Sequence, residues 1–247
     1  MSLWSQLADK HGYTGSSSGL CLGIPTINRK DLLKDLLNNL ADTLPKIDTD
    51  FIRIVIIDNG NQNIKSIVPG SIADKTTIFI EKENLGVAPS WNKIMDHCFT
   101  EYNCGGVSLI NDDIVLGSKC LERLGNILQE FNGKFFINSP YYWSNFTITR
   151  QCWEIIGHFD PNYFPAYFED NDYHRRLHLY EAHIGRTLCV IDDELKPAVC
   201  RNSSSISKNG QLNKGYHHNA IYFRDKWGGN PRNAVYKTPF NKGGDTP

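Results

Sequence analysis

Two acidic clusters hold the residues in this sequence whose types and spacing can do chemistry. The first lies in the stretch Val-Ser-Leu-Ile-Asn-Asp-Asp-Ile-Val-Leu, from Val107 to Leu116, where Asp112 and Asp113 interrupt an apolar β-type run. Ionised carboxylates at the end of a buried strand carry a desolvation penalty unless they are paired or bind a cation. A hard divalent ion, Mn2+ or Mg2+, is the ligand that such a position suits. A plain turn, closed by side-chain to backbone bonds, is the competing reading of Asn-Asp-Asp. The second cluster is Glu169-Asp170-Asn171-Asp172, which opens a helical pattern with Arg175 and Arg176 one turn on. Acids there complement the helix dipole, but this many exceed what capping needs. A carboxylate held at a pocket edge is also a suitable general base for a hydroxyl, and the two arginines are expected to keep these carboxylates ionised.

The elements that must position these clusters alternate between strand and helix. Leu20 to Ile24 reads as a buried strand, Asp31 to Thr43 repeats leucine at helical spacing, and Phe51 to Ile57 and Thr76 to Ile80 are β-branched strands. Val87 to Phe99 is predicted as a helix, Gly105 to Ile110 as a strand, Ser118 to Phe131 as a helix and Lys134 to Ile137 as a strand. Such alternation predicts an α/β fold with a mostly parallel sheet covered on both faces. Ligands of such sheets bind at the carboxyl ends of the strands. The loops there are all polar: Pro25 to Arg29, Asp58 to Gly60, Glu83 to Gly86, and Asn111 to Asp113. Neither Gly-x-x-x-x-Gly-Lys nor Gly-x-Gly-x-x-Gly follows the first strand, which argues against kinase, NTPase and dinucleotide-dehydrogenase chemistry. Asp58 suits a nucleobase or ribose, and Asp58-Asn59-Gly60 is equally consistent with a simple turn. Beyond Ile137 the chain becomes rich in aromatics, among them Tyr141, Tyr142, Trp143 and Tyr167. Aromatic faces suit sugar rings, whereas Phe146, Phe159 and Phe168 read as core.

Composition narrows the classes. With 247 residues, 40% of them hydrophobic, the chain is long enough to bury a full core. Its 26 basic and 27 acidic residues nearly cancel, so a general nucleic-acid or membrane-surface binder is not expected. The 7 cysteines are dispersed and never spaced Cys-x-x-Cys, which argues against a disulfide framework or a structural zinc site. No basic segment followed by an apolar one opens the sequence, and no run approaches the roughly 18 apolar residues of a spanning helix. A cytoplasmic protein with buried thiols and no transmembrane segment is the expectation.

The order of the motifs carries a resemblance. Pro25-Thr26-Ile27-Asn28-Arg29, Asp58-Asn59-Gly60, Glu83-Asn84-Leu85-Gly86-Val87-Ala88, Leu109-Ile110-Asn111-Asp112-Asp113, Gly157-His158-Phe159-Asp160 and Tyr167-Phe168-Glu169-Asp170-Asn171-Asp172 together resemble family two of the inverting GT-A glycosyltransferases. The resemblance runs from about Leu20 to Ile191, and Asn219 to Phe240 resembles a tail found in some members. It implies the GT-A fold, with an N-terminal arm over 1–19 and a transferase domain over 20–200. That domain divides into a nucleotide-binding half over 20–115 and an acceptor half over 116–200, and a C-terminal helical tail over 201–247 packs on it. The implied activity moves a sugar, with inversion and metal assistance, from a nucleoside-diphosphate donor to a hydroxyl of a glycan or glycoconjugate.

By that likeness Pro25, Thr26, Asn28, Arg29, Asp58, Asn59, Asn84, Gly86, Asn92, Asn111 and Asp112 line the nucleotide-sugar donor. Asp113 holds the metal from the DxD position, Asp170 is the base with Glu169 supporting it, and Trp143 and Asp172 meet the acceptor. The chain departs from the pattern in two places. An amide, Asn111, stands first in the DxD position, and Cys200 occupies a segment where many relatives carry a metal-binding His. Cys200 is a poor manganese ligand, so His217, His218 or Arg201 would have to take up part of that role. Two other readings share the acidic loop: a nucleotidyltransferase of sugar phosphates and a non-catalytic sugar-nucleotide-binding module.

Overall fold

The computed structural model describes residues 19–44, 52–131, 133–140, 142–201 and 213–242. The N-terminal arm expected over 1–19 lies outside them except for Gly19. The first half of the chain builds β1 (Leu20–Thr26), α1 (Lys30–Thr43), β2 (Ile52–Asp58), a short α2 (Gly70–Ala73), β3 (Thr76–Ile80), α3 (Val87–Thr100) and β4 (Gly106–Ile110). Then come β5 (Ile114–Val115), α4 (Ser118–Glu130), β6 (Phe136–Asn138), β7 (Asn145–Thr149), α5 (Arg150–Ile156), α6 (Glu169–Ile184), β8 (Cys189–Ile191), β9 (Val199–Cys200) and α7 (Asn213–Trp227). The main sheet has the order β3-β2-β1-β4-β7-β6-β8, while β5 and β9 form a separate pair. Neighbours run parallel except at β7, which is antiparallel to both β4 and β6.

Side-chain alternation along the central strands splits the core into two layers. Leu20, Leu22 and Ile24 face the leucine stripe of α1 and the apolar face of α4, whereas Cys21, Val55 and Ile57 face α3. The α1 leucines at 32, 33, 36, 37 and 40 are all buried, as their helical spacing predicts. Close approach of α3 to the sheet depends on Gly23, where a Cβ would sit 2.5 Å from Ile94 Cγ2 and 2.8 Å from Leu109 Cδ2.

Strand β7 is the element that the hydrophobic pattern does not reveal. Both of its faces are buried: Phe146 and Ile148 join the α3 layer, and the Thr147 hydroxyl bonds Ser108 at 2.6 Å on the other. Phe146 and Phe159 are fully buried core, as expected, while Phe168 packs partly buried against Phe223, Trp227 and Tyr163. Those last contacts fasten α7 to the domain.

The register brings the functional loops together. Thr26 pairs with Asp58 and Asp58 with Ile80, so β1, β2 and β3 end side by side and their loops leave along one edge. On β4, Ile110 is the last residue before the Asn111-Asp112-Asp113 turn. Among the described residues no helix is long and apolar enough to cross a membrane.

Candidate active site

One cavity collects the strand-end loops. Pro25 and Thr26 line it from the end of β1, Asn59 from the end of β2, Asn84 and Gly86 from the segment before α3, and Asn111, Asp112 and Asp113 from the end of β4. Asn59 ties two of these loops together, donating through Nδ2 to Ser90 Oγ at 2.9 Å and accepting at Oδ1 from the Leu85 amide at 3.1 Å. Gly86 has φ +86, a conformation that glycine alone adopts without strain, and a Cβ there would meet Phe164 Cδ2 and the Pro165 carbonyl oxygen at 2.9 Å. The next amide, Val87 N–H, donates to that same carbonyl at 2.8 Å, which locks the α3 start to the 164–166 segment. Gly86→Ala is therefore expected to cost about 1–3 kcal/mol of stability. Urea unfolding checks this, and a midpoint equal to that of the unsubstituted protein would contradict it.

The acids of α6 line the same cavity, beside Pro165, Ala166 and Tyr167. Glu169 is 5% exposed, and its buried Oε2 has no hydrogen-bond partner among the described residues. Burial, then repulsion from Asp170, pushes its carboxyl up to about 8. Burial also raises Asp170, opposed by bonds that its Oδ1 accepts from the Asn171 amide and side chain, both at 2.7 Å. Burial and the neighbouring charge favour the protonated form of Glu169, while the Asn171 donors favour the charged form of Asp170 against its own burial. Asp112 sits at the β4 end of the cavity, where Thr26 Oγ1 donates to its Oδ2 at 2.6 Å and burial raises it to about 7. Asp113 is 9% exposed.

Glu169 makes stability depend on pH with a definite sign. Its folded pKa lies above the unfolded value of 4.5, so its contribution is fully present below pH 4.5 and is lost as pH rises through about 8. Glu169→Gln is expected to flatten the decline of melting temperature across that window in the ligand-free protein. An unchanged slope between pH 4.5 and 8.5 would show that the carboxyl does not titrate as its burial dictates.

Two acidic clusters and the loops of four strand ends thus meet in one cavity. The model of glycosyl transferase family 2 matches residues 21–180. The chain belongs to that family. Two solved structures have a similar fold. One is the mannosyltransferase PcManGT from Pyrobaculum calidifontis in complex with GDP-Man and Mn2+ (TM-score 0.56, 13% identity, covering 81% of this chain and 64% of that one). The other is TarS of S. aureus (TM-score 0.56, 11% identity, covering 72% of this chain and 36% of that one). This chain thus spans less than two thirds of the length of either. No curated protein matches the sequence.

Not every residue that the family likeness implies reaches the cavity. Pro25, Thr26, Asn59, Asn84, Gly86, Asn111, Asp112, Asp113, Trp143, Glu169 and Asp170 do. Asp58 does not line it: the fully buried carboxylate accepts from the Gly60 and Gln62 amides and from Gln62 Nε2 at 2.7–3.1 Å, so it organises the turn behind Asn59. Asn28 is exposed beside that turn, and Arg29 pairs with Asp31. Asn92 spends its amide on the Phe159 backbone, as donor and acceptor at 2.8 Å, stapling α3 to the 157–160 segment.

Asp172 requires the clearest correction. Instead of facing the cavity it is fully buried: Oδ1 accepts from Trp227 Nε1 at 2.8 Å and pairs with Lys226 Nζ at 2.6 Å, and Oδ2 pairs with Arg176 Nε at 3.0 Å. Two residues along a helix lie about 200° apart, so Asp170 and Asp172 cannot serve one site. The arginine expected to hold the cluster's carboxylates ionised therefore does so at Asp172 and not at Glu169 or Asp170. Arg176 is engaged with Asp172, and Arg175 Nη2 donates to the Tyr236 carbonyl at 2.8 Å. Burial therefore governs Asp170, and its pKa goes up.

Cys200 pairs with Ile114 across β5 and β9, and the Arg201 amide donates to the Asp113 carbonyl at 3.1 Å, which sets this segment beside the acidic turn. The Arg201 guanidinium nevertheless reaches Asp35 at 2.9 Å, and His217 and His218 are exposed on α7, away from the cavity lining. Six lining residues were not singled out as site residues from sequence: Ile27, Val87, Trp91, Pro165, Ala166 and Tyr167. Trp91 stacks on Trp143 with ring centroids 6.1 Å apart, and as a core-facing residue of α3 it reads from sequence as packing rather than as a site residue.

Proposed function

We propose that this family 2 protein transfers a sugar from a nucleoside-diphosphate donor to an acceptor hydroxyl with inversion of the anomeric carbon. One observation carries the reading: Glu169 and Asp170 line the same cavity as Asp112 and Asp113. Inversion needs a base at the acceptor and stabilisation of the departing diphosphate, and no protein nucleophile.

Asp170 Oδ2 accepts the proton of the attacking hydroxyl while the Asn171 donors hold Oδ1 in place. Protonated Glu169 keeps the negative charge of the pair on Asp170 and offers a donor to an acceptor hydroxyl. Asn59, Asn84 and the segment from Pro25 to Thr26 bind the nucleotide, and Trp91 and Trp143 keep water from the reacting sugar. Among the described residues no group of three or more His, Cys, Asp or Glu side chains is arranged to hold a metal. Asn111 and Asp113 fit a hard cation in a different way, supplying one or two oxygens to an ion otherwise coordinated by phosphate and water. The divalent ion so held would screen the diphosphate charge, in keeping with the Mn2+ and GDP-Man of the mannosyltransferase with a similar fold.

A donor-hydrolysis assay over UDP-, GDP- and dTDP-sugars with Mn2+ tests the reading. Release of a nucleoside diphosphate is the expected result. Pyrophosphate would identify a nucleotidyltransferase, and no product from any donor would leave a binding module.

A further inference from the structure

The helix α7 lies outside the span 21–180 that the family model matches, yet it reaches the cavity wall. Tyr216, Asn219, Phe223 and Trp227 follow one another at helical spacing and form a stripe toward the domain. Asn219, Phe223 and Trp227 are at most 1% exposed, whereas Tyr216 is 47% exposed. Asn219 Nδ2 donates to the carbonyls of Ala166 at 2.8 Å and Tyr167 at 3.1 Å, both residues of the cavity lining. Gly215 lets the helix approach that segment, since a Cβ there would sit 2.5 Å from Pro165 Cδ. Tyr167 is held at φ +80, a strained conformation for a tyrosine, and its ring meets that of Tyr216 edge-on at 5.5 Å. Strain of this kind persists only where surrounding contacts enforce it, and here α7 supplies those contacts.

We infer that the Tyr167 ring, buttressed edge-on by Tyr216, forms a shelf for a pyranose ring, so that the acceptor is itself a sugar and α7 contributes to choosing it. This inference rests on the proposed transferase reading. Tyr167 lies two residues before Glu169 and borders the same cavity, so a ring on the shelf has its hydroxyls beside the α6 acids. An aromatic face packs the C–H face of a sugar, and the two phenol hydroxyls suit its polar edge. A lipid chain would instead call for a continuous aliphatic groove.

The test uses saturation-transfer NMR on the full chain with the methyl pyranosides of glucose, galactose, mannose and N-acetylglucosamine, and with octyl glucoside. At least one methyl pyranoside is expected to show saturation on its ring C–H protons. Tyr216→Ala should weaken its affinity by roughly tenfold, while Tyr216→Phe retains most of it. Both variants should melt as the unsubstituted protein does and bind nucleoside diphosphate equally well by calorimetry. Absence of ring saturation with every methyl pyranoside, unchanged affinity in Tyr216→Ala, or saturation of octyl glucoside confined to its alkyl chain would each overturn the inference. Failure of the transferase reading would appear separately, as no nucleoside diphosphate released from any donor.

Discussion

Asp170→Asn is expected to lower turnover by roughly 100-fold to 10,000-fold, the usual contribution of one acid–base group. The change keeps the shape of the side chain and the Asn171 contacts at Oδ1 but removes the basicity at Oδ2. Donor affinity should remain nearly intact, because the loss falls on a transition-state interaction rather than on nucleotide binding. The pH profile gives an independent check. A base must be deprotonated to act, so the rate rises with pH through the pKa of Asp170, and burial moves that limb above the ordinary carboxylate range. Steady-state rates of Asp170→Asn near those of the unsubstituted enzyme, or a product that retains the donor's anomeric configuration, would move the assignment to Glu169. Asp172 is not the next candidate, because its carboxylate is sealed among Trp227, Lys226 and Arg176.

The second large effect belongs to Asp113. Asp113→Ala is expected to abolish the Mn2+ dependence of nucleoside diphosphate binding, a loss of more than about 100-fold in the metal-assisted component. Mutating a group that merely orients a metal ligand already costs 10- to 100-fold, and a direct ligand costs more. The loss is concentrated on one residue because Asp112 accepts from Thr26, while burial favours its protonated form. Calorimetry of UDP, GDP and dTDP with and without Mn2+ measures the effect. Equal Mn2+ enhancement in the variant and the unsubstituted protein would remove Asp113 from the metal site.

Much of the fold is legible before any coordinates are consulted. The leucine spacing of α1, the apolar run of β1, the β-branched runs of β2 and β3, and the Ser118 to Phe131 pattern are each local signals, and the observed elements begin and end within two residues of them. β7 is not legible as a strand, because in Asn145-Phe146-Thr147-Ile148-Thr149 polar and apolar residues are both buried. Its place between β4 and β6 also depends on pairing with β4, from which β5, α4 and β6 separate it along the chain. The candidate site divides in the same way. Asn59, Asn111, Asp112 and Asp113 follow from their positions at strand ends, since in a parallel sheet those ends share one edge. Trp91 and Pro165 give no comparable sign.

By itself, then, the sequence determines the alternation of strand and helix, the edge on which the polar strand-end loops gather, and the acidic residues stationed there, because all of these follow from local period and residue type. Only the tertiary structure decides which acid faces the cavity. Asp170 and Asp172 are alike in type and neighbourhood along the chain, but Asp172 is claimed by Trp227, 55 residues away, and Asp170 is not. The same long-range packing diverts Arg175 to Tyr236 and Arg176 to Asp172, so burial rather than a paired cation sets the basicity of Asp170. A side chain's partner is chosen by the whole chain closing on itself, and a local pattern cannot specify it.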